Sequence, residues 1–417
     1  MKKNIQTAIA FIIMTGILHA QGFDATSLAM GKAFGGIARG VESLTWNPAN
    51  LGLPRDSWFE MNFVGLNLNI GNSTLSLDNY ERYFTDKGHG GTWDDKEKQD
   101  LLDMVPDDGF DLNIEAGANA LGVVFGRYGF GVQGVGRLNG LIPKGPFEML
   151  LFGNISSLYK FNDLDADGFA ALKLTLAGSQ PINLKKFFKS FSLGLNLNYY
   201  RGFNHAEVNN SGGLVYTGID YLYSDAQASA RTAEGGKGFS MDLGGAGEIG
   251  DQWTISMVFR NLLGSITWDE NPEAHFYNLE IDSAKYKSSL DIEPGESDTS
   301  YTIDPYKTRI PVVFHMGVAY QPSRKVTIGM DVEQAFSKGL GYNENALLSV
   351  GTEYRPVDIV PLRAGMTFGG KWGFMMGLGV GFHFKALQVN IGYASHRSLW
   401  PGSTKGFSTA VDIKIVI

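Results

Sequence analysis

The sequence has no cysteine, no excess of basic residues and no apolar run long enough to cross a membrane comfortably as a helix. With no cysteine among 417 residues, disulfide frameworks and thiolate metal sites are both excluded. The formal net charge of −8 argues against a nucleic-acid partner, because phosphate binding requires basic patches. The mean hydropathy of −0.09 is not that of a helical membrane protein.

Sequence motifs of catalysis are also absent. The chain contains no G-x-S-x-G, H-E-x-x-H or Walker-type run. "DLDADGF" at 163–169 begins like a calcium loop, but Leu174 stands where an EF-hand requires glutamate, and a strand pattern follows. We therefore expect an acidic turn there, and neither an enzyme nor a bound metal ion or cofactor.

The first 20 residues have the pattern of an export signal. Lys2 and Lys3 precede an apolar run over 8–18, and Ala20 supplies a small residue before the expected cleavage site. We expect residues 1–20 to be removed, so that the mature protein leaves the cytoplasm. Since no cysteine follows the signal, a lipoprotein is excluded.

What the sequence has in abundance is glycine, 54 residues, and aromatic residues, 12%, a combination that favours many short strands and tight turns. After residue 55, apolar and polar residues alternate with a period of two, as in a sheet with unlike faces. The clearest examples are "SFSLGLNLNYY" at 190–200, "KVTIGMDVEQ" at 325–334 and "GFMMGLGVGFHF" at 373–384.

The pattern favours a barrel whose apolar face meets lipid. The apolar faces carry too much side-chain volume for the interior of one closed sheet. Short and long connections alternate, as expected when one end faces the periplasm and the other faces outward. Aromatic residues lie beside the short turns, at the positions of an interfacial girdle: Tyr128, Trp253, Tyr320, Tyr354 and Phe384.

Seven long outward connections and six short inward turns predict a transmembrane antiparallel β-barrel of about fourteen strands over residues 56–417. Segments 213–230 and 274–291 have strand character and are expected to form hairpins in the loops. If they joined the barrel wall, the count would be sixteen. The last strand, "GFSTAVDIKIVI", alternates through the final residue, as outer-membrane barrels do, although Ile417 replaces the commoner terminal aromatic residue.

Residues 21–55 precede the first strand and do not alternate. They contain "MGKAF" at 30–34 and "WNPA" at 46–49, and their proline residues end short helices. A barrel of fourteen strands is too wide for its own side chains to fill. We therefore predict that this segment plugs the barrel, and the alternative is a solvent-exposed periplasmic extension.

These motifs resemble the N-terminal hatch of the long-chain fatty-acid outer-membrane transporter (FadL-like) family, and of related barrels that include the shuttle subunit of type IX secretion. The resemblance covers the mature chain at the level of the fold, and "FRNLLG" at 259–264 and "ALLSVGTEYRP" at 346–356 look like its recurrent strands. It implies a small helical hatch with these residues: Met30, Phe34, Trp46, Asn47, Pro48 and Ala49.

By strand parity, the lumen receives acidic and basic side chains in similar numbers. We expect them to pair and hold the hatch, since an ion-selectivity filter would present one sign in a ring. The principal members are Glu115, Arg137, Asp242, Arg260, Asp331, Glu333 and Arg363.

An apolar segment, "GPFEMLLFGN" at 145–154, lies in an outward connection, where exposed apolar residues often mark a binding site. In the fatty-acid transporters, outward loops form an apolar groove and an interruption of the third strand opens a lateral exit. Here the third strand carries glycines that permit a bend. The docking residues would be Phe147, Met149, Leu150, Leu151 and Phe152, and the alternative is that this helix only caps the barrel mouth.

The sequence thus predicts a monomeric barrel in the cell outer membrane of a Gram-negative type bacterium, which passes hydrophobic, fatty-acid-like small molecules passively. Its partners would be outer-membrane lipid, lipopolysaccharide and the hydrophobic ligand, without nucleic acid. The alternatives are a secretion-shuttle barrel that holds secreted proteins and a purely structural barrel.

Overall fold

A computed structural model describes residues 24–85, 92–153, 157–218, 221–285, 295–296 and 299–417. The expected signal peptide at 1–20, the start of the predicted hatch at 21–23 and the end of the predicted hairpin at 286–291 lie outside the described residues. Among the residues described, no helix is both long enough and apolar enough to cross a membrane.

Fourteen antiparallel strands close into a barrel, and pairing of the last strand with the first completes it. This confirms the predicted fold class. The strands are β1 (Phe59–Asn72), β2 (Phe110–Phe125), β3 (Tyr128–Ile142), β4 (Leu158–Lys160), β5 (Asp165–Pro181), β6 (Ser190–Thr217), β7 (Tyr221–Ala233), β8 (Gly235–Ile249), β9 (Trp253–Glu270), β10 (Glu273–Lys285), β11 (Gly295–Glu296), β12 (Thr299–Thr302), β13 (Tyr306–Arg309), β14 (Val313–Ser323), β15 (Val326–Ala335), β16 (Leu347–Val357), β17 (Val360–Gly369), β18 (Met375–Phe384), β19 (Leu387–His396) and β20 (Gly406–Val416). All except β4, β7 and β10–β13 form the barrel wall.

The wall is apolar outside and polar inside, the reverse of a soluble barrel. On β6, Leu193, Leu195 and Leu197 are about 40% exposed, whereas Asn196 and Asn198 are at most 1% exposed. Strand alternation places these two sets on opposite faces. The exposed apolar face is therefore the surface that meets lipid.

We call the end with the short turns the inner end; β1 begins there and β20 ends there. Aromatic side chains surround it, as the sequence predicts: Tyr128, Trp253, Tyr354 and Phe384 are each at least 46% exposed. Tyr320 stacks on Trp253 with 4.3 Å between ring centroids.

At the other, outer end, β6 continues well beyond the wall, since it has 28 residues. Its distal half pairs with β7, β7 pairs with β10, and β10 pairs with β12. The predicted hairpins therefore exist, but they build a sheet that projects outward, and the barrel remains fourteen-stranded. The first α-helix, α1 (Ala25–Ala29), precedes the barrel, and the described parts of the outer connections contain three more α-helices: α2 (Leu77–Phe84), α3 (Asp95–Met104) and α4 (Lys144–Phe152).

The glycines of the third strand permit a bend, and the ladder of β3 with β2 shifts register between Asn119 and Leu121. The ladder between β3 and β5 runs from Tyr128↔Gly178 to Leu141↔Asp165 without a register shift. The wall is irregular elsewhere, because β9 has Asn261 and Leu263 at φ 60° and 55°.

Residues 310–312 interrupt the neighbouring strand between β13 and β14. Asn261 compensates for the lost ladder bonds: its backbone N donates to Asp242 Oδ1 at 2.9 Å and its Nδ2 donates to the carbonyl of Pro311 at 3.0 Å. The buried backbone groups at this break are thereby satisfied by side chains.

Candidate functional site in the occupied lumen

Residues 24–53, which we call the hatch, fill the lumen as a chain of short elements. A helix over Ala25–Ala29 is capped by the Asp24 carboxylate, and 3₁₀ helices follow over Gly40–Leu44 and Pro48–Gly52. The elements are short because Gly31 and Gly40 adopt positive φ and Pro48 starts the last one. The hatch residues named from the sequence are all buried: Met30, Phe34, Trp46, Asn47, Pro48 and Ala49.

The hatch lies against a row of glycines in the wall. Gly329 pairs with Gly351, Gly351 with Gly365, and Gly365 with Gly377, so the row crosses four strands in register. A Cβ atom at each position would overlap hatch backbone within 28–33. The absence of side chains on the wall side of this contact lets two backbones meet.

Asp331 on β15 fixes the middle of the hatch. Its Oδ2 accepts hydrogen bonds from the backbone N of Phe34 at 2.8 Å and of Gly35 at 2.6 Å. His315 Nε2 lies 3.1 Å from the same oxygen, and Trp46 packs edge-on against the His315 ring. Asp331 is 3% exposed, so these bonds compensate for the cost of burying its charge.

Asn47 fixes the second half of the hatch. Its Nδ2 donates to Ser256 Oγ at 2.7 Å and to the carbonyl of Met257 at 2.9 Å, and its Oδ1 accepts from the backbone N of Ala49 at 2.9 Å. One amide side chain therefore starts a 3₁₀ helix and binds it to β9. This explains physically why asparagine precedes proline in the "WNPA" motif.

The predicted lumen charges divide into local partnerships and do not form a single network. Glu115 lies 3.6 Å from Arg137, and Arg363 Nε donates to Glu353 at 2.7 Å. Other partnerships are the ion pair of Arg260 with Glu333, the bonds that Asp242 accepts from Asn196 and Asn198, and the Asp331 bonds described above. Opposite signs alternate, which is not the arrangement of a selectivity ring.

The outer end of the lumen is closed by a loop that the sequence marks only as one of the outward connections. Residues 336–346, the lid loop, join β15 to β16 and reach the opposite wall. Arg137 donates to the carbonyl of Leu340 at 3.0 Å, and the backbone N of Gly341 donates to Asp167 at 3.1 Å.

Leu340 inserts into an apolar cluster at the mouth and is 2% exposed. Its neighbours in this cluster come from the walls and the ladder break: Tyr200, Ala233, Ile266, Trp268 and Ile310. The only signal in the sequence is that Gly339 and Gly341 flank Leu340, and this signal resembles that of many turns.

Two small cavities lie beside the hatch in the described part of the chain. One of about 60 Å³ lies between hatch and lid loop, lined mainly by Lys32, Glu115, Arg137, Glu333 and Lys371. Burial lowers the pKa of Lys32 to about 8. The other, of about 30 Å³, lies between the hatch and β1–β3. Both are smaller than the cavity of roughly 150 Å³ that admits benzene in a protein core.

The predicted docking segment forms α4 on the outer side of the barrel. It offers little apolar surface that could act as a binding groove. Leu150 is 80% exposed and Met149 36%, whereas Phe147, Leu151 and Phe152 are half-buried. Phe147 packs against Phe110 with 5.8 Å between ring centroids. A ligand approaching from outside would therefore meet Leu150 first.

The acidic run at 163–169 does not assemble a cation site. Asp165 begins β5, and Asp167 is occupied by Asn139 and by the lid loop. In the described ranges, no three carboxylate or histidine side chains converge as metal ligands would.

Comparison with solved structures identifies the fold as that of the FadL-type barrels. The toluene transporter TbuX of Ralstonia pickettii matches with a TM-score of 0.53 and 13% identity, covering 95% of this chain and 99% of that one. A FadL homologue of Pseudomonas aeruginosa gives 0.53 and 13%, with 94% and 98% covered. The toluene transporter TodX of Pseudomonas putida gives 0.50 and 12%, with 96% and 98% covered.

At the level of sequence, a family model described as "Family of unknown function (DUF5723)" matches residues 48–234 and 224–393. No curated protein matches significantly. All of β1 and most of the barrel wall lie inside the matched range, whereas the "MGKAF" half of the hatch precedes it.

The glycine row makes a first prediction. Gly351→Ala should destabilise the barrel by about 1–3 kcal/mol, because the added methyl group overlaps the carbonyl of Met30. The measurement is the free energy of unfolding in urea, with the barrel in lipid. Gly140→Ala is the matched control, since a Cβ at Gly140 meets no atom within 4 Å. Equal stabilities of the two variants would contradict close contact between hatch and wall.

The Asp331 contact makes a second prediction. Asp331→Ala removes the acceptor of two backbone N–H groups, and hydrogen bonds to a charged group contribute about 1.5–3 kcal/mol. Amide hydrogen exchange at Phe34 and Gly35 should therefore accelerate by about tenfold or more. Asp225→Asn, in the exposed part of β7, is the control. Unchanged protection of both amides would show that Asp331 does not hold the hatch.

Proposed function

The chain belongs to the DUF5723 family, whose function is unknown, and we propose that it is an outer-membrane barrel that lets hydrophobic small molecules pass passively. The observation that carries the proposal is a fourteen-stranded barrel of the FadL type that is closed at two levels, by the hatch and by the lid loop. A general porin for polar solutes needs a continuous aqueous channel. Cavities of about 30 and 60 Å³ do not provide one.

The proposal places the protein in the outer membrane of a Gram-negative type bacterium, as a monomer with its acidic loops facing outward and its short turns in the periplasm. The exposed apolar wall supports a lipid environment for the barrel. The alternation of long and short connections supports this orientation of the barrel in the membrane. Passage is driven by the ligand gradient, so no catalytic step, cofactor or metal ion enters the proposal. Fatty acids and aromatic hydrocarbons are the ligand classes to test.

Passage requires one of the closures to move, because neither cavity admits even a benzene-sized ligand. The lid loop is attached through Leu340, Gly341 and Tyr342, whereas the hatch contacts almost every strand of the wall. In the proposed cycle the lid loop opens first, and a local shift of the hatch then completes the route.

A protein-holding role, as in the secretion shuttle, is the second candidate because of the outer sheet. β6, β7 and β10 extend far beyond the membrane wall, and small-molecule passage does not require this. Phe276 and Tyr301 stack on this sheet at 5.5 Å and are 43% and 51% exposed. The test is whether secreted proteins co-purify with the barrel. This candidate would be favoured if co-purification were lost when the outer sheet is removed while flux stayed unchanged.

Tethering the hatch makes the central prediction. In Gly36→Cys/Ala319→Cys, the Cβ atom built on Gly36 lies 3.2 Å from Ala319 Cβ and 2.7 Å from Ala319 N. A shift of about half an ångström relieves the second contact and brings the Cβ atoms into disulfide range. The oxidised protein in liposomes should lose flux of labelled toluene or fatty acid, and reduction should restore it.

Because the chain has no cysteine, the two single variants, Gly36→Cys and Ala319→Cys, are clean controls. A labelled sugar serves as the polar solute and should not pass in any variant. Full flux through the oxidised double variant would eliminate a route that needs hatch movement. Equal flux of sugar and hydrocarbon would eliminate hydrophobic selectivity.

The role of α4 makes a separate prediction. If Leu150 receives the ligand, Leu150→Asp should raise the ligand concentration for half-maximal flux about tenfold, since burial of a leucine contributes roughly 1.5–3 kcal/mol. Leu77→Asp on α2, where the side chain is 52% exposed, is the matched control. Identical concentration dependence in the two variants would assign α4 to capping alone.

A further inference from the structure

The turn at 182–189, between β5 and β6, is the longest connection at the inner end, and it is held by backbone hydrogen bonds. Ile182 N donates to Phe191 O at 2.8 Å, Phe187 N to Leu184 O at 2.9 Å, and Lys189 N to Glu248 O at 2.8 Å. The side chains that this turn exposes therefore have defined positions. The backbone hydrogen bonds of the turn fix them.

The turn folds outward over the lipid-facing side of the wall. Phe188 packs on Phe191, with 5.1 Å between ring centroids. A Cβ on Gly247 would lie 2.5 Å from the Phe188 ring. Phe191 and Gly247 have the strand parity of Leu193 and Leu243, which are exposed to lipid. The rest of the turn is therefore at the circumference of the barrel, where the lipid headgroups lie.

Most of the exposed residues of the turn are apolar or basic. Phe187 is 67% exposed, and Ile182 and Leu184 are 38% and 40% exposed. Lys185 and Lys186 lie between them, both exposed. The apolar side chains continue the lipid-facing surface, while long lysine side chains extend their ammonium groups to the interface.

Charge is distributed unequally between the two ends of the molecule. The six inner turns contain seven basic residues and two acidic ones. They are Arg127, Lys185, Lys186, Lys189, Arg324, Lys325 and Lys385 against Asp251 and Asp358. At the outer end, residues 92–109 have the opposite balance, with Lys96 and Lys98 against seven carboxylates. A chain with net charge −8 thus concentrates cations at its inner rim.

We propose that the 182–189 turn is a binding site for anionic phospholipid headgroups of the periplasmic leaflet, with Lys185 and Lys186 contacting the phosphate and Phe187 and Leu184 inserting among the acyl chains. The inference relies on the proposed membrane orientation and not on transport. Lysines near an anionic surface attract it additively, and the apolar residues fix their depth. Lys189 has a separate role, since its Nζ pairs with Asp251 at 2.7 Å across to the next turn.

Fluorescence energy transfer from a donor label on the turn to acceptor-labelled lipids tests the site. Asn183→Cys provides the only cysteine for the donor, because the chain has none of its own. The protein is placed in phosphatidylethanolamine vesicles that contain acceptor-labelled phosphatidylglycerol, and in matched vesicles with acceptor-labelled phosphatidylethanolamine. We expect preferential transfer to phosphatidylglycerol, which falls as salt is added.

In the Asn183→Cys background, Lys185→Gln/Lys186→Gln should reduce the preference for phosphatidylglycerol by about an order of magnitude. Lys185→Arg/Lys186→Arg retains the charge and should retain the preference. Lys96→Gln/Lys98→Gln makes the same charge change at the outer end and should have no effect. Heat-dependent gel mobility verifies that each variant is a folded barrel.

No preference in the parent protein, or an unchanged preference in the glutamine variant, would overturn the proposal. So would a stronger response to acceptor-labelled lipid A than to phosphatidylglycerol, because that would assign the phosphate to the other leaflet. Flux of toluene measured on the same vesicles separates the two proposals. Loss of lipid preference with flux intact rejects this site alone, and absence of flux with preference intact rejects transport alone.

Discussion

Contact between the hatch backbone and the backbone of the wall is the constraint on which the rest of the structure depends. Side chains separate packed elements in most folds, but four glycines in register remove that separation here. The barrel can then close around a segment of only thirty residues and leave little empty volume. The polar contacts of Asp331 and Asn47 supply the acceptors and donors that such an irregular segment lacks internally.

The inside-out polarity of the wall follows from the same constraint. A lumen that holds backbone must satisfy N–H and C=O groups, so its wall carries asparagine, serine and charged residues, and its glycines give the hatch room. The charges are tolerated because Glu115 with Arg137 and Arg363 with Glu353 are paired locally. The apolar residues are displaced to the outside, where lipid accommodates them.

Much of this could be predicted from sequence, because the wall has a strict period. Alternation in "SFSLGLNLNYY" decides the face of every residue in it, and the strand count follows from the turns between such stretches. The burial of Trp46 and Asn47 could also be predicted, because a non-alternating segment has to lie somewhere inside a wide barrel. The closure by the lid loop could not be predicted, because Leu340 becomes buried through contacts with residues 30 to 140 positions away in sequence, from Ile310 to Tyr200. The bend that the glycines of β3 permit stays a prediction: Gly129 and Gly131 make room for Leu44 of the hatch, the ladder with β5 is regular, and the ladder with β2 shifts register.

The lid loop and the broken ladder are linked by shared residues. Asn261 of β9 bridges the break between β13 and β14 through Asp242 and Pro311, and its Nδ2 also lies 3.5 Å from the Tyr342 hydroxyl of the lid loop. Tyr342 in turn packs under the guanidinium of Arg137, 4.2 Å from its ring centroid, on the far wall. In the proposed cycle, opening the lid loop therefore removes a contact from a residue that compensates for the missing ladder bonds. A barrel closed in this way links its outer mouth to the broken ladder of its own wall through Asn261 and Tyr342.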